Sequence, residues 1–202
     1  FLITFIIIGI NILVSLICFS NKEAFEKLHF SPYLIHRNGE ERFRFLSHGF
    51  VHADIGHLAF NMITLYFFGR EIEQSIMSST EYLIFYITAV IFASWPSYKK
   101  NIDNYEYKAV GASGAVSAVM FVLVLYSPWS VIYLKFFLPI YFILFAAGYI
   151  AYSTYQSKYG KDNIAHDVHL WGALYGLAFT LIFHPESLRI FLDQIQDAPF
   201  LR

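Results

Sequence analysis

The chain has 202 residues, of which 57% are hydrophobic and only 14% are charged, and its formal net charge is −1. A soluble domain carries about 25% charged residues, so this composition and the mean hydropathy of +0.50 indicate a membrane protein rather than a soluble one. The balanced charge gives no electrostatic reason to expect a nucleic-acid partner, and the single cysteine, Cys18, cannot form an internal disulfide.

Six apolar segments follow one another and predict an all-α membrane protein, a six-transmembrane-helix bundle. Most approach the roughly 20 residues that a spanning helix needs. The first segment lacks the basic start and small-residue cleavage site of a secretory signal, so we interpret it as a retained span. The segments are residues 1–19, 56–74, 80–95, 111–127, 131–152 and 164–183.

Two polar stretches flank these segments. A long polar and aromatic loop, residues 20–55, separates the first segment from the second. The residues from Pro185 onward are too polar to span a bilayer. We therefore expect a six-helix core over residues 1–184, followed by a polar C-terminal tail over residues 185–202.

Four polar side chains lie near the same end of alternate segments. His57 and Asn61 are near the start of the second segment, Ser113 near the start of the fourth, and His169 near the start of the sixth. In a six-span chain these three helices cross the membrane in the same direction. Because ionisable groups are costly in hydrocarbon, an intramembrane histidine is a functional candidate by default. The topology therefore predicts that the four side chains meet near one membrane face.

Small residues could bring the fourth and sixth helices together. Gly114 and Ala118 form one pair at four-residue spacing, and Gly172 and Gly176 form another. Such pairs let helix backbones approach closely in lipid. The glycines could serve for packing alone, or they could also bring the serine hydroxyl within reach of the histidine ring. The fourth segment is also short for a span, which predicts a water-filled pocket around its start.

The start of the second segment carries three histidines and an asparagine. His57 and Asn61 are one helical turn apart, so they can present hydrogen-bond donors to one point, as a developing oxyanion requires. The alternative is a metal site that includes Asp54. For His48 and His52 we favour a structural role, in which buried, hydrogen-bonded rings hold the loop.

Together these motifs resemble the rhomboid intramembrane serine proteases in order and spacing, from the first helix to about Phe183. The matching residues are His48-x-x-x-His52-x-x-x-x-His57-x-x-x-Asn61, Gly111-Ala112-Ser113-Gly114 and Ala165-His166-Asp167-Val168-His169-Leu170-Trp171-Gly172-x-x-x-Gly176. The resemblance implies that Ser113 is the nucleophile and His169 its general base. His57, Asn61 and the backbone amide of Ser113 would form the oxyanion hole. The supporting residues would be His48, His52, Gly111, Gly114, Gly172 and Gly176.

The resemblance also implies an activity and its partners. The chain would be a serine endopeptidase that hydrolyses peptide bonds in or near transmembrane segments of membrane-protein substrates. It would need no cofactor and no metal, and its partners would be those substrates and the lipid bilayer, without nucleic acid. We expect a multi-pass integral protein of a bacterial cytoplasmic membrane.

The chain departs from the family pattern in two places. Some rhomboids have a tyrosine four residues after the nucleophile, packed on the catalytic histidine, whereas this chain has Ser117. His169 must therefore be oriented in another way. Phe43-Arg44 stands where the family often has Trp-Arg, a mild change. Asp167 should face away from His169 because it is two residues distant on a helix, whereas His166 should share its face.

Three further questions stay open on the sequence. The resemblance implies a cytoplasmic N-terminus and an outward-facing site, but basic residues concentrate in the odd-numbered loops, which positive-inside counting places in the cytoplasm. The chain could also be a non-catalytic relative that binds transmembrane helices, although the serine and histidine are both present. A histidine-lined metal or proton transporter would instead be indifferent to Ser113. The basic residues are Lys22, Lys27, Arg37, Arg42, Arg44, Lys99, Lys100, Lys108, Lys158 and Lys161.

Overall fold

A computed structural model of the chain describes residues 1–134, 138–160 and 165–199. These residues are mostly helical. A π-helical turn, Leu65–Gly69, joins the fifth and sixth helices into one continuous rod. The helices are α1 Leu2–Ser20, α2 Lys22–Leu28, α3 Pro32–Arg37, α4 Arg44–Ser47, α5 Ile55–Thr64, α6 Arg70–Ser75, α7 Ser79–Lys100, α8 Ser113–Tyr126, α9 Phe142–Tyr159, α10 His166–Phe183 and α11 Glu186–Gln196.

The six apolar segments correspond in order to α1, the α5–α6 rod, α7, α8, α9 and α10. Among the described residues, α1 alone is long and apolar enough to cross a membrane by length and composition, and α8 is apolar but shorter. The mostly helical structure agrees with the all-α class predicted from the sequence, whereas the count of six membrane spans stays a prediction.

The fifth segment differs from the prediction of a helix over residues 131–152. A short antiparallel hairpin, β1 Val131–Leu134 and β2 Leu138–Tyr141, precedes α9. β-branched and aromatic residues favour strands, and a proline such as Pro139 is tolerated at the edge of a two-stranded sheet. Part of the predicted fifth segment, residues 135–137, and the first residue of the sixth, at 164, lie outside the described residues.

The loop between the first two segments also contains helices. Asn21 caps α2 by accepting a hydrogen bond from the Ala24 amide at 3.1 Å, and Ser31 caps α3 in the same way. Such side chains satisfy amides that have no partner inside the helix, which explains why helices begin at these positions.

Helix α8 lies at the centre of the molecule, and most of its residues are buried. Its closest neighbour is α10. A Cβ atom added to Gly172 would overlap the carbonyl oxygen of Gly114, and one added to Gly176 would overlap that of Ala118. The backbones of the two helices are therefore in direct contact, as the two small-residue pairs predicted.

Helix α1 is fastened to the rest by Glu73, a buried carboxylate at the end of the α5–α6 rod. Its oxygens accept hydrogen bonds from the amides of Ile3 and Thr4, at 3.0 and 2.8 Å, and from the Thr4 hydroxyl at 2.7 Å. A carboxylate at a helix N-terminus satisfies free amides and interacts favourably with the helix dipole.

The polar tail, predicted only as non-spanning, folds into α11 over most of its length. Its attachment is polar, because the Trp129 indole donates to the Gln194 carbonyl at 2.7 Å. The Gln194 side chain in turn donates to the Tyr126 carbonyl at 2.5 Å, where α8 ends. The tail therefore packs at the opposite end of α8 from Ser113.

Candidate active site

Ser113 and His169 lie in hydrogen-bond contact. Ser113 is the first residue of α8 and His169 lies in the first turn of α10. Nε2 of His169 is 2.7 Å from Oγ of Ser113. This is the distance at which an imidazole can accept the proton of a serine hydroxyl.

The backbone contact between α8 and α10 sets this distance. Gly114 follows Ser113 directly, and a Cβ atom at this position would lie 2.8 Å from the Val168 side chain and 2.9 Å from Ala93. Any larger side chain would separate the two helix starts and hence the hydroxyl from the ring.

A cavity of about 510 Å³ opens beside the pair. Several of the residues predicted for the site line it, including His57, whereas Asn61 does not. The lining residues are Phe25, Ala53, Asp54, His57, Lys108, Ala109, Val110, Ser113, Ala165 and His169.

Gly111 lets His57 approach the serine. Its φ is +124°, a conformation that residues with a side chain rarely adopt. The position that a Cβ atom would take lies 2.6 Å from Cε1 of His57 and 3.6 Å from Oγ of Ser113. The His57 ring and the serine hydroxyl therefore border the same small space, which a side chain at Gly111 would fill.

Asn61 lies one turn below His57 on α5 and is 1% exposed. Its Nδ2 atom is buried and has no hydrogen-bond partner within the described part of the chain. A buried donor without an acceptor is costly, so this amide is an available donor near the site.

His52 supports the residue before the nucleophile. Its Nε2 atom accepts a hydrogen bond from the Ala112 amide at 3.4 Å, so its Nδ1 atom must carry the proton. Nδ1 is 2.9 Å from the Ser15 hydroxyl, which donates in turn to the Phe50 carbonyl at 3.1 Å. Ser15 of α1 therefore fixes which nitrogen of His52 is free to accept.

His48 supports the same loop through its backbone. Its carbonyl accepts a hydrogen bond from the Gly111 amide at 3.0 Å. Its ring is buried 4.9 Å from that of Phe30, whose backbone pairs with Ala109 in an isolated bridge. The loop that precedes the serine is thus held by the segment around His48 on one side and by Phe30 on the other.

A charged pair lies at the edge of the cavity. Nζ of Lys108 donates to the Glu26 carboxylate at 2.7 Å, which ties α2 to the loop before the nucleophile. This hydrogen bond and the positive charge of Lys108 lower the pKa of Glu26 below its ordinary value. Sequence reasoning missed this pair because its members are 82 residues apart.

Ser117 has a partner that the sequence did not indicate. Its hydroxyl donates to the Ser113 carbonyl at 2.8 Å and lies 2.5 Å from the hydroxyl of Tyr149 on α9. An aromatic residue is therefore present near position 117, but it comes from the neighbouring helix.

Asp167 points away from His169. Its carboxylate accepts hydrogen bonds from the Ser97 hydroxyl on α7 and from the Val168 amide, the latter at 3.0 Å. The His166 ring lies 6.0 Å from that of His169 and nearly perpendicular to it. Within residues 1–134, 138–160 and 165–199, no three His, Cys, Asp or Glu side chains converge as metal ligands do.

The model of the Rhomboid domain matches residues 39–186, which is most of the chain. The chain belongs to the rhomboid family. The resemblance predicted from the motifs is thus confirmed. Rhomboids are integral membrane proteins, and the family is one of intramembrane proteases that act on membrane-protein substrates, although some rhomboid-like proteins are inactive.

One curated rhomboid is similar over much of the chain. It is the RHOMBOID-like protein 12, mitochondrial, of Arabidopsis thaliana, 32% identical over 144 residues. The alignment covers 63% of this chain but only 42% of the relative, so the chain spans less than half of that protein's length. Because this relative is mitochondrial, it gives no support to the predicted bacterial membrane.

Proposed function

We propose that this rhomboid is an active serine endopeptidase that uses Ser113 and His169 as a catalytic dyad. The observation that carries the proposal is the 2.7 Å contact between Nε2 of His169 and Oγ of Ser113. It is supported by the cavity beside the pair, which can admit a peptide, and by the family membership. The substrate class is a transmembrane protein whose spanning segment unwinds near the site.

The reaction would proceed by acyl transfer. His169 accepts the hydroxyl proton as Oγ of Ser113 attacks the peptide carbonyl carbon, and a tetrahedral oxyanion forms. When the C–N bond breaks, His169 gives this proton to the leaving amine. Water then attacks the acyl-enzyme while His169 accepts its proton. His169 returns this proton to Oγ of Ser113 as the ester C–O bond breaks and the new carboxyl product is released.

The oxyanion would be stabilised by three donors: the Ser113 amide, the His57 ring and the Asn61 side chain. His57 borders the same space as the serine hydroxyl, and the amide nitrogen of Asn61 is buried without an acceptor. Each such donor typically contributes about 3–4 kcal/mol to transition-state stabilisation in a site that excludes water.

We further propose that residues 1–184 form the six-span catalytic core and that residues 185–202 are an accessory tail. Ser15 and Thr4 of α1 bond to the remainder of the core, which supports a core that begins before the matched Rhomboid region. Helix α11 packs against the C-terminal end of α8, which is the end farthest from Ser113. Substrate would therefore reach Ser113 from the N-terminal end of α8.

The experiment that tests the activity is labelling of the purified protein with a fluorophosphonate probe, which forms a covalent bond only with an activated serine. We expect labelling of the wild type, and none of Ser113→Ala or His169→Ala. Ser94→Ala is the control, because Ser94 is also in a helix and its hydroxyl bonds to carbonyls of that helix, those of Val90 and Ile91. Labelling of Ser113→Ala would refute the nucleophile, and a folded wild type without labelling would favour a non-catalytic rhomboid.

A further inference from the structure

Helix α9 carries two tyrosines that contact residues next to the proposed dyad, Ser117 and His166. Tyr149 and Tyr152 are one helical turn apart, so they share a face of α9. The Tyr149 hydroxyl is 2.5 Å from that of Ser117 on α8. The Tyr152 ring packs perpendicular to that of His166, on α10, at 5.5 Å. One helix therefore contacts both Ser117, which bonds to the Ser113 carbonyl, and His166, whose ring lies beside that of His169.

The direction of the hydrogen bonds near Tyr149 follows from the number of protons. A serine hydroxyl has a single hydrogen, and Ser117 uses it to donate to the Ser113 carbonyl at 2.8 Å. The Tyr149 hydroxyl must then donate to Ser117. The series of hydrogen bonds therefore runs from Tyr149 on α9 to Ser117 on α8 and ends on the backbone carbonyl of Ser113.

This series of hydrogen bonds acts on the first turn of α8. The Ser113 carbonyl is also the acceptor for the regular helical bond from the amide four residues later. A second donor to the same oxygen tilts the local peptide and fixes its orientation. The amide and the side chain of Ser113 belong to the same turn, so the orientation of this peptide also sets where they point.

Burial strengthens this series of hydrogen bonds. Ser117 is 3% exposed, so its hydroxyl is shielded from bulk solvent that could replace a lost partner. Removing the tyrosine hydroxyl would leave Ser117 with an unsatisfied acceptor, which would weaken its hold on the Ser113 carbonyl.

We propose that Tyr149 is a positioning residue for the dyad, which acts through Ser117 on the backbone of Ser113. It reaches Ser117 from the adjacent helix α9, through the contact between the two hydroxyls. This inference rests on the proposed protease activity.

The test compares Tyr149→Phe, Ser117→Ala and the double variant in fluorophosphonate labelling. Three quantities are measured: the maximal labelling rate, the probe concentration at half of that rate, and the fraction labelled at completion. Each single variant should lower the maximal rate about tenfold, with the half-rate concentration unchanged within about twofold. The double variant should be no slower than either single variant, because both break the same series of hydrogen bonds.

The control is Tyr155→Phe, which removes a hydroxyl from an exposed face of the same helix and should label as the wild type does. A purely structural role of Tyr149 would reduce the labelled fraction and leave the rate of the labelled molecules unchanged, and this result would overturn the inference.

Two other results would also overturn it: a wild-type rate for Tyr149→Phe, or rate losses that multiply in the double variant. If the wild type itself does not label, the proposed activity fails and this inference fails with it. If the wild type labels and Tyr149→Phe does so equally fast, only the role of Tyr149 is wrong.

Discussion

The two sides of α8 are built differently. Toward α10 the contact is between backbones, with glycines at 172 and 176 lying against the carbonyls of Gly114 and Ala118. Toward α9 the contact depends on side chains, among them the hydroxyls of Ser117 and Tyr149. Backbone contact admits one spacing only, whereas side-chain contacts can be altered atom by atom. The first side therefore holds the serine and the histidine at one distance, and the second, in our proposal, orients the serine.

The backbone side should be the least tolerant of change. Gly172→Ala places a methyl group on the Gly114 carbonyl, and overpacking of this kind typically costs about 1–3 kcal/mol or more. We expect a lower thermal midpoint and fluorophosphonate labelling reduced by about 100-fold or more, because the dyad distance changes. Gly148→Ala is the matched control, since a Cβ at that position on α9 meets nothing within 4 Å. Equal behaviour of the two variants would contradict the rigid spacing.

The loop before the serine should respond in activity more than in stability. Gly111→Ala forces a side chain into a positive φ and against the His57 ring. We expect labelling to fall by about 10- to 100-fold, because one proposed oxyanion donor moves, while the thermal midpoint changes by only a few degrees. Gly39→Ala serves as the control, because a Cβ atom at that position meets only the Arg42 side chain, at 3.9 Å. Wild-type labelling of Gly111→Ala would contradict the idea that activity depends on the position of the His57 ring beside Ser113.

His52 supports this loop by a single acceptor atom. His52→Ala leaves the Ala112 amide buried without a partner, which typically costs about 1–3 kcal/mol. We expect a lower thermal midpoint and labelling several-fold slower, with partial rescue in His52→Gln, whose side-chain oxygen can accept the same bond. His36→Ala, at an exposed histidine, should match the wild type in both measurements. If His52→Gln proves no better than His52→Ala, the acceptor role is wrong.

The pair of Glu26 and Lys108 should have the smallest effect, because both side chains are more than a third exposed. Since the folded-state pKa of Glu26 is lowered, its contribution to stability is full above its ordinary value of 4.5 and is lost as the pH falls below it. We expect Glu26→Gln to lower the thermal midpoint slightly at pH 7, and the difference to shrink as the pH falls below 4.5 and Glu26 becomes protonated in both states. A difference that grows on acidification would contradict this sign.

The sequence alone predicts that the N-terminal ends of three helices lie close together, because both the order of the segments and the spacing of the small residues can be read from it. Three alternate helices place Ser113, His169 and His57 at one end of the bundle, and the glycine pairs show which faces can touch. The lining of the cavity and the 2.7 Å contact agree with that reasoning. The roles of these residues stay predictions until activity is measured.

Contacts between distant side chains could not be predicted. Tyr149 is one of many aromatic residues in apolar segments, and nothing in its neighbourhood along the chain distinguishes it. Its partnership with Ser117 depends on which face of α9 is turned toward α8, and α9 begins only at Phe142, after the hairpin. Apolar periodicity alone could not distinguish that hairpin from the start of a helix.

The matched Rhomboid region begins at residue 39, and α1 lies entirely outside it. Yet Ser15 of α1 determines which nitrogen of His52 accepts the Ala112 amide. A recombinant fragment cut at the start of the matched region would keep every proposed catalytic residue and lose this tautomer control. Without Ser15, the His52 proton could move to the other nitrogen and face the Ala112 amide, donor against donor. We therefore expect the shortest active fragment of this chain to begin upstream of residue 39, where the family match begins.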